Sequence, residues 1–297
     1  MNNFRATTIL AAFMVLTVPL MPVQALLLKT SPRAARRFPQ WYHRQVCRVL
    51  GVSLNIVGEV RSCGPVLLVS NHTSWLDIPV LSAVAPVSFV AKKEVGSWPF
   101  VSSLARLQRT VFVDRTKRQA SGDAAMEIMQ RLQGGDAIVL FAEGTSSDGN
   151  RVLPFKSSLF GAVTHGRAKG ETSSSERATQ AMVQTVAIVY THLYGVPLGR
   201  ADRPRVGWYG DMEMQSHAWA LLGSGPLAVT VSIGPPVPLS DYENRKSLAL
   251  QSERAVRAAV HRILRGRPAD EALVAVEPHE ETRRETPKRT FRPEKWT

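Results

Sequence analysis

A chain of 297 residues that is 44% hydrophobic can bury a sizeable core, and one large α/β domain with tails suits that length better than two equal domains. Lys and Arg outnumber Asp and Glu by 37 to 24, and the net charge of +13 favours an anionic partner: nucleic acid, anionic lipid, or an acidic substrate or carrier. Cys47 and Cys63 stand in unrelated contexts without metal-ligand spacing, which argues against a disulfide scaffold and a zinc site and fits a reducing compartment.

Residues 7–28, TTILAAFMVLTVPLMPVQALLL, form an apolar segment about long enough to span a bilayer, interrupted by Pro19, Pro22 and Gln24. Val23-Gln24-Ala25 also resembles a signal-peptide cleavage site. The flank favours a retained anchor or half-buried helix. Lys29, Arg33, Arg36, Arg37, Arg44 and Arg48 follow with no acid before Glu59, a basic excess that holds the following chain on the cytoplasmic side, near anionic headgroups. The expected organisation is a membrane anchor over 1–28, a basic juxtamembrane segment over 29–54, one domain over 55–266, and a charged, Pro-punctuated, disordered tail over 267–297.

Strands are predicted at Pro65 to Val69, Val87 to Ala91, Thr110 to Val113, Ala137 to Phe141, Thr185 to Tyr190 and Ala228 to Ile233. A helix over Gly122 to Leu132 puts Ala125, Ile128, Met129 and Leu132 on one face. Ser240-Asp241-Tyr242-Glu243 reads as a capping box for a packing helix carrying Val256, Ala259, Val260, Ile263 and Leu264 and ending before Gly266. The Ser-rich stretch from Gly166 to Thr179 is expected to be an exposed loop. Strands alternating with helices imply an α/β fold, a single mixed sheet flanked by helices, with functional turns at the strand ends.

Three of those ends carry chemistry. In VLLVSNHTSWLDIPV, residues 66–80, His72 sits just past a strand and Asp77 opens a helix marked by Pro79. A carboxylate there can take the imidazole N–H, fix the tautomer and stabilise the imidazolium. This stretch alone equally allows Asp77 to be only a helix cap and His72 to bond only backbone. The next ends supply Asp114-Arg115 and Ala142-Glu143-Gly144-Thr145, with Lys156 following in LPFKSSLFG. Arg suits carboxylate or phosphate through its fork, and Gly lets backbone approach a ligand.

NHTSWLD, VFVDR and FAEGTSS together resemble, in order, the conserved blocks of the glycerolipid acyltransferases related to bacterial 1-acyl-glycerol-3-phosphate acyltransferase, over roughly residues 55–235. The resemblance implies a membrane-associated α/β acyltransferase with His72 as base and Asp77 as its orienter. It further implies acceptor binding by Arg115, Glu143, Gly144, Thr145 and Lys156. No cofactor or metal is implied. A lipid hydroxyl would attack an acyl thioester as His72 takes its proton, and backbone N–H groups in the turn after the first strand are candidate oxyanion donors.

The chain departs from the family pattern at Ala142, where Pro is usual, at Ser146, where Arg is usual, and at Thr185-Val186, where Pro-Val is usual. Loss of that Arg removes one bidentate cation for a phosphate acceptor. VFVDRTKR, EGTSSDGNRVLPFKSSLFGA and GWYGDM most resemble the branch that acylates lyso-ornithine lipid, so that lyso-lipid is the expected acceptor and lysophosphatidic acid the alternative. The expected donor is acyl carrier protein or acyl-coenzyme A, and the expected place is the cytoplasmic side of the inner membrane, against an anionic surface. A non-catalytic basic membrane-binding protein would explain the charge but not the three strand ends. No nucleic-acid module is recognisable.

Overall fold

The computed structural model describes residues 2–62, 64–114, 118–161 and 181–267. Arg115, Cys63, the Gly166–Thr179 stretch and the tail beyond 267 lie outside the described residues.

The chain opens with two helices, α1 (Asn3–Thr30) and α2 (Pro32–Leu50), joined at Ser31. Their contacts run antiparallel: the Thr17 and Tyr42 hydroxyls meet at 2.8 Å, and Gln24 Nε2 donates to the carbonyls of Ala35 and Leu107 at 3.0 Å each. The polar residues that interrupt the apolar run therefore face inward and fasten the hairpin. Its outer side is apolar on α1, where Phe4, Leu10, Met14, Val15, Val18, Val23 and Leu26 are exposed. On α2 the exposed positions Arg33, Arg37, Trp41, Arg44 and Arg48 recur at helical spacing and make one stripe. The 29–54 segment is thus mostly a packed helix. Arg44 Nε donates to Ala83 O at 2.9 Å, and Arg36 pairs with buried Asp136 at 2.9 Å.

Next come β1 (Val52–Val57), β2 (Val66–Ser70), α3 (Asp77–Val84), β3 (Val87–Lys92), α4 (Val101–Leu107), β4 (Val111–Val113), α5 (Arg118–Gln133) and β5 (Ala137–Phe141). They are followed by β6 (Met182–Leu193), β7 (Val196–Pro197), α6 (Met214–Ser224), β8 (Leu227–Ile233), β9 (Val237–Pro238) and α7 (Arg245–Leu264). The main sheet runs β1-β8-β6-β2-β5-β3-β4, with β7 and β9 paired to β6. Strands β6, β2, β5, β3 and β4 are parallel, while β8 opposes β6 and carries β1 parallel to itself. The mixed α/β sheet flanked by helices is as expected.

Alternation along the strands divides the core into two layers. Val66, Leu68, Phe89, Val139, Phe141, Ile188 and Tyr190 face the layer of α1, α2, α3 and α6. Leu67, Val69, Ile138, Leu140, Ala187 and Val189 face α5 and α7. The hairpin and α7 therefore cover opposite faces of one sheet.

Two local expectations are corrected. Asn244, not Ser240, caps α7, its side chain accepting from the N–H groups of Lys246 and Ser247 at 2.8 and 3.0 Å, because Leu239–Asp241 forms a 3-10 turn of its own. Strand β1, with polar Ser53 and Asn55 interrupting its apolar residues, was not expected; it pairs on one side only, so its polar positions need no burial.

Candidate active site

Parallel strands deliver their carboxyl ends to one edge, and the turn after β2 lies there. Asn71 extends β2 by proxy: its side chain donates to Ile188 O and accepts from Ile188 N, both at 2.9 Å, pinning the turn to β6. The His72 carbonyl takes Ser147 N–H and the Thr73 carbonyl takes Trp208 N–H, both at 2.9 Å. These bonds leave the His72 ring to be placed by its own contacts. It stacks on Phe141 at a centroid distance of 4.0 Å, and its Nδ1 meets Asp77 Oδ2 at 2.7 Å.

Asp77 has no exposed side-chain surface. Oδ2 accepts the backbone N–H groups of Thr73 at 2.7 Å and Ser74 at 3.0 Å besides the His72 ring, and Oδ1 accepts the Tyr190 hydroxyl at 2.7 Å. Burial and the Asp77 charge push the Tyr190 hydroxyl well above its ordinary range, so it keeps its proton and donates. An acceptor-only carboxylate beside Nδ1 requires the proton on that nitrogen, which leaves Nε2 with its lone pair. The imidazole is 17% exposed, enough for a reacting group to reach it. Asp77 caps the turn that precedes α3, not the helix that follows, since its donors are Thr73 and Ser74.

Glu143 is 1% exposed. Its Oε1 accepts the N–H of His72 at 3.0 Å and its Oε2 that of Leu153 at 3.1 Å, so the carboxyl clamps the His72 turn to the loop after β5. Burial pushes this carboxyl up to about 8, against the two backbone hydrogen bonds that pull it down. Gly144 takes a left-handed φ of 70° and bends the chain away from β5, which leaves Thr145 exposed beyond it. Lys156 returns to the same edge through its N–H, which donates to Ala142 O at 2.9 Å, while its side chain is exposed.

Of the candidate oxyanion donors in this turn, the N–H groups of His72, Thr73 and Ser74 are already held by Glu143 and Asp77.

Ser146, one of the positions that depart from the resembling family, donates its hydroxyl to Trp208 O. That bond ties residues 203–208 across the loop. A Cβ on Gly207 would come within 3.0 Å of Ser147 O, and Trp208 meets Trp98 edge-on at 6.1 Å. Tyr190, Phe141, Asn71 and Trp208 were not among the expected site residues. Asn71, Phe141 and Trp208 lie inside the quoted blocks NHTSWLD, FAEGTSS and GWYGDM, whereas the signal for Tyr190 is only a hydroxyl ending the apolar run VAIVY. A cleft of about 1470 Å³ lies at the opposite edge of the sheet, lined by Arg37, Trp41, Val84 and Asp136 among others, away from His72.

The model of the acyltransferase family matches residues 53–189, the span that holds the His72 turn and the Glu143 loop. The lyso-ornithine lipid O-acyltransferase of Brucella abortus (strain 2308) is 46% identical over 271 residues, covering 91% of this chain and 99% of that protein. The protein of that name from Rhizobium meliloti (strain 1021) is 42% identical, covering 84% and 83% of the two chains. The crystal structure of the 1-acyl-sn-glycerophosphate acyltransferase PlsC from Thermotoga maritima shares the fold, with a TM-score of 0.58 at 20% identity over 88% of this chain and 94% of that one. With near-complete coverage of such a relative and a family match that includes the His72 turn, the chain belongs to the acyltransferase family and is an acyltransferase enzyme.

Proposed function

We propose that this enzyme moves a fatty acyl group from a thioester of acyl carrier protein or coenzyme A to the hydroxyl of lyso-ornithine lipid, with His72 as general base. The observation that carries the mechanism is the buried carboxylate of Asp77 on His72 Nδ1, which leaves Nε2 as the proton acceptor. The lipid hydroxyl oxygen attacks the thioester carbonyl carbon as its proton passes to Nε2. Asp77 stabilises the imidazolium so formed. The tetrahedral intermediate collapses, the C–S bond breaks, and the imidazolium returns the proton to the departing sulfur. Products are the ester and a thiol.

Glu143 serves here as a positioning residue, since both its oxygens hold backbone. Thr145 and Lys156 are exposed in the segment that follows β5, and with Gly144 and Arg115 they are the proposed contacts to the acceptor headgroup, whose carboxylate suits the cations. The acceptor assignment rests on the names of the relatives from Brucella and Rhizobium. It is consistent with Ser146 engaging Trp208 O.

The α1–α2 hairpin is the proposed membrane element. α1 is long and apolar enough to cross a bilayer. Its packing along α2 through Thr17 and Gln24 favours a hairpin lying in the cytoplasmic leaflet of the inner membrane, with the α2 arginines at the anionic headgroups. The test uses purified protein, an acyl thioester, and lyso-ornithine lipid or lysophosphatidic acid as acceptor. Ornithine lipid is the expected major product; acylation of lysophosphatidic acid alone would overturn the acceptor assignment.

A further inference from the structure

We infer that the outward face of α7, together with exposed Arg151 on the loop that shares a small cavity with Val260, is the docking surface for an acidic acyl carrier protein that delivers the thioester; this rests on the acyl-transfer reading above. From Arg254 to Arg267 the chain holds five arginines, one histidine and no acid. Leu250, Arg254, Arg257 and His261 are exposed at steps of four, three and four, and Arg265 continues the row past the helix end. The other side of the helix, Val256, Ala259, Val260 and Ile263, is buried against the sheet.

Two features separate this stripe from the basic stripe on α2. It covers the sheet face opposite the hairpin, so a chain resting on lipid through α1 and α2 turns α7 toward water. A soluble acidic protein, not a headgroup, is what can meet it there. It also runs to the reactive edge. Val260 lines a small cavity together with Asn71, Thr73, Arg151 and Arg203, immediately behind the His72 turn, and Arg257 lies close enough to lower the Glu143 pKa.

Cations in a last helical turn complement the helix dipole, but Arg254 lies mid-helix and Arg151 sits on another loop. Glu253, the nearest acid, is spent inward on Phe155 N–H at 2.8 Å and on Arg257 at 2.5 Å. Arg254 and Arg265 make no ion pair among the described residues. A carrier helix with carboxylates at i and i+4 matches that row, and complementary charge accelerates encounter and fixes orientation. The acceptor then arrives from the hairpin side of the sheet and the thioester arm from the α7 side, meeting over the loop at 146–151.

The test compares wild type with Arg254→Glu/Arg265→Glu and with the hairpin variant Arg33→Glu/Arg37→Glu. Donors are palmitoyl-loaded acyl carrier protein and palmitoyl-coenzyme A, the acceptor is presented in detergent micelles, and binding to phosphatidylglycerol vesicles and to the carrier is measured separately. The α7 variant is expected to weaken carrier binding and raise the KM for loaded carrier about tenfold, leaving kcat, the coenzyme A KM and vesicle binding within twofold. The hairpin variant should do the reverse, losing vesicle binding and keeping the carrier KM. Unchanged carrier binding in the α7 variant, or an equal rise in KM for both donors, would overturn the proposal. Wild type that uses coenzyme A but refuses the carrier would also overturn it while acyl transfer stands; wild type inert with both donors would count against the acyl-transfer reading itself.

Discussion

Asp77→Asn isolates the charge of the proposed orienter from its hydrogen bonds. Asp77 Oδ2 receives three donors and Oδ1 one, the Tyr190 hydroxyl. An asparagine can set its carbonyl oxygen at the three-donor position and turn its NH2 to Tyr190, whose oxygen is able to accept. The flipped amide would aim NH2 at two backbone N–H groups, so one orientation survives and the turn keeps its shape. What disappears is the negative charge facing the imidazolium. Two unit charges about 4 Å apart at an effective dielectric near 20 interact by about 4 kcal/mol. At 1.36 kcal/mol per tenfold in rate, kcat for acyl transfer should fall about 10³-fold. The assay is product formation at saturating donor and acceptor, with thermal unfolding in parallel. A folded Asp77→Asn enzyme with kcat within fivefold of wild type would refute the role given to the carboxylate.

Tyr190→Phe removes a single hydrogen bond to a buried carboxylate and should cost about 2 kcal/mol of stability, read by chemical denaturation, while kcat stays within tenfold because Asp77 keeps its charge and its bond to His72. Equal stability of the two proteins would contradict the geometry at Oδ1. Glu143 gives a pH signature. Its carboxyl is raised by burial from 4.5 to about 8, so the folded chain holds a proton that the unfolded chain has released across that interval. The corresponding stability is fully present below 4.5 and is lost as pH rises through about 8. Glu143→Gln cannot ionise and should flatten the pH dependence of the unfolding midpoint over that window; an unchanged slope would remove Glu143 as its source.

The parallel core was legible because its strands are short apolar runs, and the predicted span Ala137 to Phe141 matches β5 to the residue. β6 was seen only as its apolar centre, Thr185 to Tyr190, since Met182 to Gln184 and Thr191 to Leu193 mix polar residues that pair with β9, β8 and β7. The His72 and Asp77 pairing could be anticipated from five-residue spacing across a strand-to-helix turn. The pairing of Tyr190 with Asp77 joins positions 113 residues apart, and nothing local encodes it. The reading of Glu143 as an acceptor contact came from the family resemblance; its burial and its bonds to the His72 and Leu153 backbone are not legible in the motif. Likewise, the apolar first segment could be recognised, whereas its fastening to α2 depends on Thr17 and Gln24 meeting residues 25 and 11 positions away.

The central claim is that His72 takes the acceptor proton, and His72→Ala tests it most directly. The ring stacks on Phe141 and bonds Asp77, and its side chain makes no other hydrogen bond among the described residues, so the variant should fold and bind vesicles as wild type does. Its kcat for transfer from acyl thioester to lyso-ornithine lipid should fall about 10³-fold, within the range that a positioned general base contributes. Turnover near the wild-type rate in that folded variant would contradict the account.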